Sequence, residues 1–135
     1  MKKVIYILSL IILSGFQLGI AQTNPIPASI SLAFKAGNAD ELEAYLNQTV
    51  ELVLPGKEDF YEKSVAQNIL REFFKEYQTI DFVIKHQSGK NDAYYAIGTL
   101  RTNKGTFRVY FLIKTVQSKP LIHQLRIEKD DTTDN

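Results

Sequence analysis

The chain has no cysteine, no tryptophan, a single methionine and four prolines among its 135 residues. The missing cysteine excludes most. It removes disulfides, thiolate metal sites and a cysteine nucleophile, and with them a lipid anchor built on a cysteine at a signal cleavage site. An excess of one charge is missing too, with 16 Lys and Arg against 15 Asp and Glu. Such a chain carries no net positive field for a phosphate backbone, so nucleic acid is not an expected partner. Contact with a polyanion or a membrane surface would have to rest on a local patch. Length allows one domain and no second core.

Long apolar runs are scarce, and the one present lies at the start. Met1-Lys2-Lys3 is a basic opening, Val4–Ile12 is apolar, and Gly19-Ile20-Ala21 sets small residues where a signal peptidase reads. Ser9, Ser14, Gly15 and Gln17 interrupt the run. Residues 1–21 therefore read as a signal peptide removed before Gln22, not as a permanent membrane helix. The expected destination is the periplasm or the outside of the cell, with no stable membrane insertion after removal. Without Lys2 and Lys3 the balance is 14 basic to 15 acidic side chains, near −1. A mature chain of about 114 residues buries roughly two thirds of its unfolded surface, so its core alone must hold it together.

Residues 22–26 read as a linker, and Pro27 suits the first position of a helix. Ile30, Ala33 and Phe34 mark one face of a helix over Ala28–Ala36, with Gly37 as its left-handed terminator. Asn38 and Glu41 fit a capping box for a second helix whose stripe is Leu42, Tyr45 and Leu46. Val50–Leu54 reads as a short strand ended by Pro55-Gly56, and Lys57–Lys63 as a polar loop. Ser64–Gln67 is another capping box, ahead of the longest helix. Val65, Ile69 and Phe73, with Ala66, Leu70, Phe74 and Tyr77, give that helix a broad apolar stripe. Ile80–Gln87 alternates as a strand, placing Ile80, Phe82, Ile84 and His86 on one face. The tail at 130–135 has nothing to bury and reads as disordered.

Three β-rich runs follow one another: Ala93–Leu100, Thr106–Ile113 and Leu121–Glu128. They read as an antiparallel meander. With Gly105 in the left-handed position of a type I turn plus bulge, Thr102 faces Thr106. Tyr95, Ile97, Thr99 and Arg101 then share the inward face with Phe107, Val109, Phe111 and Ile113. Setting Thr115 against Leu121 adds Leu121, His123, Leu125 and Ile127. The outward face then holds Tyr94, Gly98, Arg108, Tyr110, Leu112, Lys114 and Arg126, with Tyr110 covering Gly98.

This order of elements is α+β and resembles the NTF2-like, cystatin-like cone, with N-terminal helices packed on a bent antiparallel sheet. Tyr95–Leu100, Gly105, Phe107-Arg108-Val109 and the helix Ser64–Phe74 resemble a secreted bacterial NTF2-like family classed as a domain of unknown function. The resemblance spans 27–129. It implies a cone between the long helix and the sheet, and it carries no catalytic residues. Enzymes of that superfamily hold an acid–base pair in the cone, commonly Asp with His or Tyr. That pairing is not evident here.

His86, Tyr95, Arg101 and His123 are the candidates for a ligand pocket in such a cone. Two histidines can act as an acid–base couple or as metal ligands. No carboxylate shares their faces, and a His pair alone is half a metal site, so no metal is expected. The blander reading of each is a rim or core histidine with one hydrogen bond. Arg101 could clamp an anion at the mouth, or lay its stem on Phe107 and reach solvent. Nothing in the pattern calls for a cofactor. Tyr94, Arg108, Tyr110, Leu112 and Arg126 form an aromatic and basic strip suited to a sugar polymer, a homodimer or an envelope protein. The competing reading is a solvated face with cross-strand pairs such as Arg108 with Glu128. A non-catalytic binding or assembly module leads the functional readings. A ligand-holding pocket protein comes second, and a small hydrolase, isomerase or dehydratase third.

Overall fold

The computed structural model describes residues 25–133. The expected signal peptide and residues 22–24 lie outside the described residues, as do 134–135. Helix α1 spans Ala28–Ala36, α2 Ala39–Glu43 and α3 Lys63–Glu76. The strands are β1 Leu46–Leu54, β2 Lys57–Glu62, β3 Thr79–Lys90, β4 Ala93–Thr102, β5 Gly105–Val116 and β6 Lys119–Lys129. They form one six-stranded sheet in the order β2-β1-β6-β5-β4-β3. Every neighbouring pair is antiparallel except β1 with β6. The sheet is therefore mixed, where the sequence reads as antiparallel throughout.

Local chemistry sets the helix ends. Gly37 adopts φ 62, and the backbone N–H groups at the end of α1 donate to the Ala33 and Phe34 carbonyls. The Asn38 side chain accepts from the Asp40 and Glu41 N–H groups and caps α2. Helix α2 stops at Glu43, and Leu46 opens β1 instead of extending the helical stripe. Helix α3 starts one residue earlier than its sequence signature, after Glu62, with no side-chain cap. The expected loop at Lys57–Lys63 is instead β2 followed by the first helical residue. The Pro55-Gly56 turn returns the chain alongside β1, and pairing overrides the polar composition of this segment.

The core lies between the helices and one sheet face. Phe34, Leu42, Leu70, Leu100, Phe107, Phe111 and Leu125 are fully buried. Each contributes on the order of 1.5–3 kcal/mol by leaving water. Ile26, within the expected linker, is 2% exposed and belongs to this core. Asp131–Thr133, within the expected disordered tail, form a 3-10 turn in which Asp130 accepts from the Thr132 N–H. On the outside, Asp40 of α2 accepts from Gln67 and Arg71 of α3 and ties the two helices together.

The meander closes in a different register from the sequence expectation. Thr102 pairs with Gly105, Leu100 with Phe107, Gly98 with Val109 and Ala96 with Phe111. The whole of β4 is thereby turned over relative to β5. Ala96, Gly98, Leu100 and Thr102 face the core, and Tyr95, Ile97, Thr99 and Arg101 face away. Volume decides this. A Cβ on Gly98 would meet the Phe82 ring at 2.7 Å, so the glycine makes room for that ring, and Phe82 covers it instead of Tyr110. On β6 the expected pairs Phe111–Leu125 and Val109–Ile127 form, but a bulge opposite Leu112 and Ile113 then brings Ile122 inward.

Candidate functional site

The space between helices and sheet, where the four pocket candidates would meet, is packed with rings. Phe34 stacks on Phe111 with centroids 5.8 Å apart, and lies 4.9 Å from Phe82. Phe73 meets Phe107 edge-on at 5.3 Å, and Tyr77 meets it at 4.9 Å. None of the four pocket candidates stands among them. Tyr95 and Arg101 leave with the register of β4, and Arg101 is exposed beside Thr106 and Asp81. His86 leaves because β3 bulges between Ile84 and His86, which pairs His86 with the outward-facing Ile97. His123 occupies the bulge of β6. Its Nε2 is buried and has no hydrogen-bond partner among the described residues. Burial, and then the charge of Lys114, hold its pKa below the ordinary histidine value.

Three of these candidates and four interface candidates do share the sheet face that turns away from the helices. The His86 ring lies 5.8 Å from that of Tyr95, with Nε2 3.3 Å from the Tyr95 hydroxyl. The Tyr95 ring lies 6.0 Å from that of Tyr110. Tyr110 pairs with Arg126, whose guanidinium donates to Glu128 at 3.0 Å. Arg108, Tyr110, Gln124, Arg126 and Glu128 surround a depression of about 310 Å³ in the middle of this face. Leu112 lies beside Tyr95 and Gln124, half-buried. Tyr94 is the exception. The register places it on the core side, packed against the core and paired with Ile113. The strip loses Tyr94 and gains Tyr95, Ile97 and Arg101.

A second concavity lies elsewhere. The turn after β1 and one flank of α3 enclose a groove of about 750 Å³, floored by Leu54, Ile69 and Phe73 and rimmed by Lys57, Glu72 and Glu76. Its cause is legible in α3: the apolar stripe is wider than the core can cover, leaving Val65 44% exposed. No sequence candidate falls in it. The stripe width was the available signal, and it needed the position of β1 to become a groove.

Among the described residues no cluster of three or more His, Asp or Glu side chains is placed to hold a metal ion, and no helix is long and apolar enough to cross a membrane.

The family described as Domain of unknown function (DUF4783) matches residues 27–128. The chain belongs to this family. A DUF4783 protein from Bacteroides ovatus is 38% identical over 81% of this chain and 99% of its own, with a TM-score of 0.77. Another, from Bacteroides uniformis, is 36% identical over 78% of this chain and 98% of its own, with a TM-score of 0.76. A putative calcium/calmodulin-dependent protein kinase type II association domain from Thiobacillus denitrificans is 10% identical over 76% and 90%, with a TM-score of 0.60. That last likeness shows the fold alone, which is NTF2-like. A search of the curated proteins finds no match.

Proposed function

We propose that this DUF4783 protein is an exported, non-catalytic binding or assembly module that docks a protein partner on its outward sheet face. The observation that carries the reading is the row His86, Tyr95, Tyr110 and Arg126 across four adjacent strands, with Ile97 and Leu112 beside it. Tyr and Arg dominate interface centres because each buries area and keeps a directional polar group. The packed rings support the same reading from the other side, since they occupy the space a substrate would take in such a cone. His86 has a phenol for a partner and His123 has none, so neither is set beside a carboxylate as an acid–base catalyst would be.

The test is capture of partners by the mature protein from its own cell envelope, with intact mass measured on the exported material. Parent and Lys75→Ala should capture the same protein and Arg126→Glu should lose it, with a mature start at or near Gln22. A parent that sediments as a monomer and captures nothing would reduce the strip to a solvated sheet face. One observation favours a second reading, that of a ligand-holding protein: the groove along α3, whose volume suits a small apolar molecule. A melting shift in a ligand screen that Ile69→Glu abolishes would support it, and loss of the same shift in Tyr110→Ala would return the ligand to the sheet face.

A further inference from the structure

We infer that the partner on the outward face is a second copy of this chain, related by a two-fold axis parallel to the strands between β5 and β6. The inference rests on the docking reading above and comes from the order of side chains across the sheet. The pairings run Glu58, Val53, Arg126, Tyr110, Ile97, His86 in a single row from β2 to β3. This row is complementary to its own reverse. An axis along the strands keeps each row at its level and reverses the strand order, so β2 covers β3, β1 covers β4 and β6 covers β5 of the second copy.

The polar contacts of this row are chemically matched, and symmetry makes each of them twice. Glu58 meets His86, a carboxylate on an imidazole. Val53 meets Ile97. Arg126 meets the ring of Tyr110, a guanidinium over a phenol face. In the next row Arg108 and Glu128 are neighbours, and the same operation sets the Glu128 of one copy on the Arg108 of the other. An axis across the strands would do the opposite. It would lay each strand on itself, placing Arg126 on Arg126 and Glu58 on Glu58, and like charges facing each other repel.

The area is adequate. Six strands about 4.8 Å apart, with three to four rows of outward side chains about 6.7 Å apart, present roughly 600–800 Å². A stable interface takes about 800 Å² from each partner. Two sheets packing aligned, within about 30° of each other, is an ordinary geometry.

Charge reversal tests the pairing. Sedimentation equilibrium of the purified protein should give twice the chain mass. Arg108→Glu alone and Glu128→Arg alone should each weaken the dimer at least tenfold, because each sets two like-charged pairs across the axis. Equal amounts of the two single variants, mixed, should dimerise again, since each then supplies what the other lacks. The double variant should dimerise for the same reason, and circular dichroism melts keep misfolding apart from dissociation. A parent at single-chain mass at about 100 μM would overturn the second-copy inference and leave the docking reading to its own test. A dimeric parent whose mass neither single variant changes would place the dimer on another surface and overturn the second-copy inference, again leaving the docking reading to its own test.

Discussion

At Gly98 an added methyl group would sit 2.7 Å from two ring carbons of Phe82 and 2.9 Å from the Val83 carbonyl oxygen. That one position decides which way β4 faces, because a large ring on β3 needs a hole on β4 to enter. Gly98→Ala should therefore destabilise the fold by about 1–3 kcal/mol through overpacking. Phe82→Leu, combined with it, should recover part of the loss by shortening the side chain that clashes. Lys75→Ala, exposed on α3, should cost little stability. Urea melts of the four proteins check this, and a Gly98→Ala midpoint equal to the parent's would mean that β4 does not pack on Phe82. On sequence alone the aromatic that covers Gly98 is Tyr110; in the fold it is Phe82. Ala96, Gly98 and Leu100 on one face are no more apolar than Tyr95 and Ile97 on the other, so alternation could not separate them. The difference is one of volume, visible only once Phe82 and Phe111 have been placed.

At the scale of elements, strong periodicity was legible and irregularity was not. Helices α1 and α3, the Gly37 stop, the Asn38 cap and the three-strand meander all follow from spacing and capping chemistry. Strand β2 was missed because it is an edge strand, exposed along nearly its whole length, and so has no buried face to imprint a pattern. Two of the bulges, equally invisible to alternation, displace the two histidines. Lys85 is the extra residue in β3, and its insertion sends His86 outward. In β6 the extra residue is His123 itself. That position has a measurable consequence. With its pKa held below the ordinary value, His123 stays neutral in the fold where the unfolded chain already takes a proton. The unfolded state binds more protons in that window, so stability is complete above about pH 6.5 and falls as pH drops through the folded pKa. His123→Leu should flatten the fall in melting temperature as the pH drops below about 6.5. An unchanged slope in His123→Leu would assign the proton elsewhere.

For the molecule as a whole, the question is why a cone that could hold a ligand holds side chains. The NTF2-like arrangement sets helices across one face of a sheet, and the enclosed volume must be filled by protein, ligand or water. Here Phe34 from α1, Phe73 and Phe74 from α3, Phe82 from β3, and Phe107 and Phe111 from β5 converge on it. With no disulfide in the chain, this cluster is a large part of what holds the fold together. A pocket and a core compete for the same space, and in this sequence the core has taken it. Phe111 stands at the centre, fully buried and stacked on Phe34. Phe111→Ala should therefore cost about 3–5 kcal/mol, and the hole it leaves should be apolar and dry. Such a hole takes small apolar molecules, so indole or benzene should raise the melting temperature of Phe111→Ala and leave that of the parent unchanged. The same probes given to Ile69→Glu report on the groove along α3, because that variant blocks the groove without opening the interior. If the parent responds as strongly as Phe111→Ala, and Ile69→Glu does not remove the response, the interior already admits ligands and the filled-core reading fails. A response confined to Phe111→Ala would mean that binding by the native protein takes place on its surface, where the aromatic row and the groove lie.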